Sequence, residues 1–163
     1  MIRPLFDPII VNKVYRMPEI LGRIRHDDWS PEFENSPDVG YLGAWAGDMF
    51  CGFFMIREKS RIDVEVHACL LPDALPHSRV LGAEVLRFIF NASSVLRVSA
   101  PIIGNLVSAM NYVRRLGFQQ EGVIRGCCRK NGELLDVVLF GLTRTEFEAN
   151  NVIYYQGRRW ARR

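Results

Sequence analysis

The 163-residue chain is one domain by size and long enough to bury a real core, with nearly half its residues apolar and about a quarter charged. A net charge of +3 is too mild to mark a nucleic-acid binder by itself, and no apolar run approaches a membrane span. Cys51, Cys69, Cys127 and Cys128 lack any Cys-x-x-Cys spacing, which argues against tetrahedral zinc or another metal; with no leader-like apolar N-terminus, reduced thiols in the cytoplasm are expected.

Residues 7–15 read as a first strand, because Ile9, Ile10 and Val11 are β-formers behind Asp7-Pro8. A short helix follows, with Pro18 in its first turn and Ile20, Leu21 and Ile24 as its apolar stripe. A proline-rich acidic loop then leads to a hairpin of two aromatic-rich runs around Gly47-Asp48. Around residues 61–72, Val64, Val66 and Ala68 alternate with Glu65, His67 and Cys69, which is strand periodicity.

The period then lengthens. Val80, Leu81, Val85, Leu86, Ile89 and Phe90 fall at helical spacing, with Ser78 as a candidate cap. A strand through Leu96–Ala100 should stop at Pro101 and Gly104. Asn105 should cap the next helix, with Leu106, Ala109, Met110, Val113 and Leu116 inward and Gly117 as its left-handed terminus. Two final strands meet at Asn131-Gly132, and a short helix and tail should follow Thr145. This order argues for an α/β sheet of mixed direction with flanking helices.

Leu116-Gly117-Phe118, Glu121-Gly122, Arg125, Gly132, Asp136 and Thr143-Arg144 stand in an order and spacing that resembles the GNAT superfamily of N-acetyltransferases. More narrowly the chain resembles the ribosomal-protein alanine acetyltransferase (RimJ/RimL-type) branch, over about residues 8–147. It is also similar to small GNAT-like proteins from virion-assembly gene clusters of temperate phages. The resemblance implies a mixed, mostly antiparallel sheet of about seven strands with a central parallel pair that splays apart. Residues 1–147 would form this domain and 148–163 a basic tail.

In such a fold acetyl-CoA is the cosubstrate, its pantetheine arm paired with the freed edge at Ala68, Cys69 and Leu70. Its pyrophosphate would rest on the following helix N-terminus, here His77, Ser78, Arg79, Val80, Leu81, Gly82 and Ala83, with Asn105 nearby. Glu84 departs from the family pattern, which has a small residue there. Glu65 matches the family's base, and His67 shares its strand face at a near-neutral intrinsic pKa suited to proton shuttling. Asn105 and Ser108 match the polar residues early in the next helix, while Tyr112 stands one position away from the tyrosine many relatives use there.

The acceptor would be an amine on a protein or a small molecule. Trp29, Tyr41 and Trp45 are candidate walls for it, and Asp27, Asp28, Glu32 and Glu34 would make an acidic approach. Arg158, Arg159, Arg162 and Arg163 around Trp160 offer a contact for a protein or nucleic acid. The altered phosphate loop and displaced tyrosine leave a second reading open, an assembly factor built on the same fold.

Overall fold

The computed structural model describes residues 1–150. Residues 8–15 are not a strand: Pro8–Tyr15 is a helix, α1. The Asp7 carboxylate accepts from the amides of Ile9 and Ile10 at 2.8 and 3.3 Å, and Pro8, having no N–H, leaves no donor unpaired in the first turn. Val11, Val14 and Tyr15, three and four residues apart, form its buried stripe. Burial of that stripe overrides the β-preference of Ile-Ile-Val. The first strand is instead Ile2–Pro4 (β1), followed after α1 by Pro18–Ile24 (α2).

Val39–Ala46 (β2), Met49–Glu58 (β3) and Asp63–Leu70 (β4) form the expected meander. A 3₁₀ helix, Pro72–His77, runs straight into Ser78–Ala92 (α3). Arg97–Ile103 (β5), Val107–Arg115 (α4), Gln119–Lys130 (β6) and Glu133–Thr143 (β7) complete the core, and residues 144–150 are helical. The candidate tail contact around Trp160 lies outside the described residues.

The seven strands make one sheet in the order β1-β2-β3-β4-β5-β7-β6, with β4 and β5 its parallel pair. Pro101 does not stop β5; it pairs with Leu139 of β7. Proline is tolerated where a strand need not donate to a ladder, and β5 has lost its β4 neighbour there. Helices α3 and α4 cover one face, over Val64, Val98, Phe140 and Leu142, while α1 and α2 cover Tyr41, Phe53 and Cys69 on the other. Adjacent Phe53 and Phe54 are fully buried on opposite faces and anchor both layers, each worth about 1.5–3 kcal/mol.

Both expected caps are corrected. Ser78 does not cap α3: its hydroxyl donates back to the Leu75 carbonyl at 2.7 Å, because the 3₁₀ helix continues into α3 and leaves His77 at the cap. Asn105 does not cap α4; Leu106 holds that position and Asn105 sits in the preceding turn.

Candidate active site

The parallel ladder between β4 and β5 lasts three residue pairs, Asp63 with Arg97, Val64 with Val98 and Glu65 with Ser99. Beyond Glu65, β4 stays paired to β3 and β5 to β7, so the sheet opens between its two halves. Ala68 is exposed although it lies on a central strand. Cys69 and Leu70 bury their side chains in opposite layers, leaving backbone as what this part of β4 can offer a ligand.

Glu65 stands at the apex of the opening, with His67 two residues on and on the same face. Glu65 Oε1 is 2.6 Å from His67 Nε2, and Lys59 Nζ lies 3.6 Å from Oε2. The hydrogen bond from His67 is the main reason the Glu65 carboxyl is held below its usual range, against the opposing effect of burial. Glu65 is 18% exposed and His67 37%, so a proton can pass from this pair to water or a substrate.

The first turn of α3 is open at Arg79 and Val80, while Leu81 and Gly82 are buried. Gly82 is where α3 meets α4: a Cβ there would overlap the Tyr112 hydroxyl and lie 2.7 Å from Leu116 Cδ1. The Tyr112 hydroxyl donates to the Ser78 carbonyl at 2.9 Å, and burial pushes its pKa up. Glu84 is turned toward β1, 2.8 Å from the Met1 ammonium, which keeps its carboxylate off the open turn. Asn105 and Ser108 are exposed and make no side-chain hydrogen bond among the described residues.

The three aromatic wall candidates are not brought together. Trp29 is half exposed and stacks on His26. Tyr41 is core, 5% exposed, stacked on Phe33, its hydroxyl accepting from the Glu34 amide at 2.8 Å. Trp45 lies under Arg3 and beside Phe50. Two of the four acids of the expected approach are engaged in structure, while Asp28 and Glu32 are exposed. Arg57 donates to both Glu34 oxygens, at 3.1 and 2.5 Å. Asp27 accepts from the amides of Asn131 and Gly132, both at 2.8 Å.

That last contact was not foreseen. Asn131 and Gly132 have positive φ, 52° and 81°, so consecutive amides point the same way and form an anion cradle that Asp27 fills. The Gly132 amide is the main cause holding the Asp27 carboxyl below its usual range. The Asp27 amide donates to the Arg129 carbonyl, and Lys130 Nζ to the Arg23 carbonyl, both at 2.8 Å. The β6–β7 hairpin is thereby tied to the end of α2. A type I′ Asn-Gly turn was the one signal that an anion belonged there. Asp27→Asn should loosen the tie, seen as faster amide exchange at Asn131 and Gly132 with little change elsewhere.

Glu121 of the Glu-Gly motif also finds a role: Arg97 Nη1 and Nη2 donate to its two oxygens at 2.5 Å, and the pair lies over Gly141, where a Cβ would collide with it. Arg97 also reaches Asp63 at 3.5 Å, so the motif secures the strands just below the opening.

The fold is that of the GNAT acetyltransferases. Spermidine N-acetyltransferase from Vibrio cholerae, in complex with CoA and spermine, superposes with a TM-score of 0.76 at 14% identity, over 90% of this chain and 96% of that one. A chimera of the Vibrio cholerae enzyme SpeG and hSSAT gives 0.74 at 14% identity, over 90% and 98%. No curated protein matches the sequence. Among the described residues no helix is long and apolar enough to cross a membrane. The model of the family described as "Protein of unknown function (DUF2824)" matches residues 20–152, and the chain belongs to that family.

Proposed function

We propose that this protein is an acetyl-CoA-dependent N-acetyltransferase acting on a primary amine. The opening of the central strand pair just past Glu65 carries this reading: it frees the backbone of Val66–Leu70 beside a Glu–His pair. Acetyl-CoA supplies the activated acetyl group. In this chain β4 backbone would orient it, and the open turn at His77, Ser78, Arg79 and Val80 would receive its phosphates. Glu65, with His67, takes the proton of the attacking amine as its nitrogen bonds to the acetyl carbon, and the thioester C–S bond breaks to release the CoA thiolate, which takes a proton from solvent.

Calorimetry with acetyl-CoA tests the first half of this reading. Arg79→Ala should weaken binding by roughly 1.5–3 kcal/mol, the range for a charge-assisted phosphate contact. Unchanged affinity would move the phosphates elsewhere.

The second reading, a GNAT-fold assembly factor with little or no activity, including a role in phage virion morphogenesis, is favoured by one observation. The family's loop glycine, Gly82, is filled over by Tyr112 and Leu116, and a 3₁₀ helix stands in place of an open loop. Absence of acetyl-CoA binding heat would select it, and a RimJ/RimL-like acceptor would then be excluded with the activity.

A further inference from the structure

The aromatic walls expected for the acceptor are scattered, but one sheet face beside the opening is apolar and uncovered. Val98, Ala100 and Ile102 of β5, with Val138 and Phe140 of β7, turn into the layer under α3 and α4. Their neighbours Pro101, Ile103, Val137 and Leu139 therefore lie on the other face, joined by Ile124 of β6, the register partner of Val137. The first four are partly exposed, and Ile124 is 47% exposed. Ile103, Val137, Leu139 and Ile124 belong to neither buried layer, because the layer under α1 and α2 draws its sheet residues from β2, β3 and β4.

Glu65 and His67 stand on this same face. Val64 and Val66 beside them turn toward α3 and α4, and Glu65 pairs in register with Ser99, two residues before Pro101. On the β4 side of that pair the face is already filled, by Tyr41, Phe53 and Cys69. On the β5 side it is open. The Arg97–Glu121 ion pair, lying over Gly141, fences the end nearest the ladder.

We propose that this face seats the body of the acceptor, and that the acceptor is a primary amine bearing a compact aromatic or branched aliphatic group close to its nitrogen. This rests on the acetyltransferase reading and names the substrate class for it. Acetyl-CoA and acceptor do not compete for one surface. The helix that would receive the phosphates, α3, packs on the opposite face, and the pantetheine arm would follow the freed edge of β4. Ser99 to Ile103 spans about 13 Å along the strand and β5 to β6 about 10 Å across, room for one aromatic ring or two aliphatic side chains. By register Pro101 is level with His67, so an amine at the Glu65–His67 pair crosses the opening with its first carbons and meets Pro101 and Leu139 with its apolar group. A polyamine would set its second ammonium on that apolar surface, losing water without gaining a carboxylate.

The test titrates phenethylamine and cadaverine into the whole protein, with and without CoA, while following the methyl NMR signals of Ile103, Ile124, Val137 and Leu139. The aromatic amine should shift those signals and bind about five- to tenfold more tightly than the diamine, the return for covering one side of its ring. Leu139→Gln should remove most of that advantage. Ile124→Gln, at an exposed position on the edge strand where folding does not depend on the side chain, should reduce it in the same direction. Equal or tighter binding of the diamine, shifts confined to methyls elsewhere, or an advantage that survives both substitutions overturns the proposal. Acetyl transfer to the same two amines is read separately. Shifts at these methyls without transfer would refute the acetyltransferase reading while leaving the apolar amine site standing.

Discussion

Glu65→Gln should lower the rate of acetyl transfer about 10²-fold or more, because a positioned general base contributes 10²–10⁴. The substitution keeps the shape of a side chain that is 18% exposed and 2.6 Å from His67, so its effect reports lost basicity rather than lost packing. Acetyl-CoA affinity should barely move, since β4 presents backbone to the opening beyond Glu65. Initial rates of thiol release, beside calorimetry on the same variant, check both statements. Full activity in the Gln variant would remove Glu65 as base and leave His67 or a bound water.

The pH dependence has a definite sign. The Glu65 carboxyl titrates below its usual range in the folded protein, so its stabilising contribution is complete above the ordinary carboxylate pKa. That contribution is lost as pH falls through the lower, folded value. Acid unfolding of the wild type should therefore steepen below the ordinary carboxylate range, and Glu65→Gln should flatten that part of the curve. An unchanged acid limb would show that the Glu65–His67 contact contributes nothing to stability.

Gly82→Ala should destabilise the protein by about 1–3 kcal/mol, the usual cost of overpacking a filled interior, and lower Tm by roughly 2–4 °C per kcal/mol. The new methyl would overlap the Tyr112 oxygen and press on Leu116. Tyr112→Phe alone removes the hydrogen bond to the Ser78 carbonyl and should cost about 0.5–1.5 kcal/mol. Combined, the two should cost less than their sum, because the phenyl ring leaves room where the hydroxyl stood. Additive losses would show that α3 and α4 do not meet at this glycine. The same geometry means that a bulky residue at position 82 unfolds the α3–α4 contact as well as altering any cofactor site.

Sequence alone was enough for several features whose cause is side-chain period or turn chemistry, though not for the caps of α3 and α4. Alternation from Val64 to Cys69, the stripe from Leu81 to Phe90, the Asn131-Gly132 turn and the sharing of one strand face by Glu65 and His67 all follow from side-chain period and turn chemistry. Residues 8–15 fold against their individual preferences: Ile9, Ile10 and Val11 favour strands, whereas the Asp7 cap and the Val11, Val14, Tyr15 stripe win once there is a sheet face to bury them against. Tertiary structure decided the rest of the site. The β4–β5 ladder ends at Glu65 while β4 stays paired to β3 and β5 to β7, pairings made by residues distant in the chain. Gly82 became a packing position because α4 arrives over it, and Asp27 became a tie because folding brings it to amides 104 and 105 residues away. Whether a carboxylate is free to meet an acceptor or already bound depends on partners distant in the chain, and spacing along the chain carries no record of them.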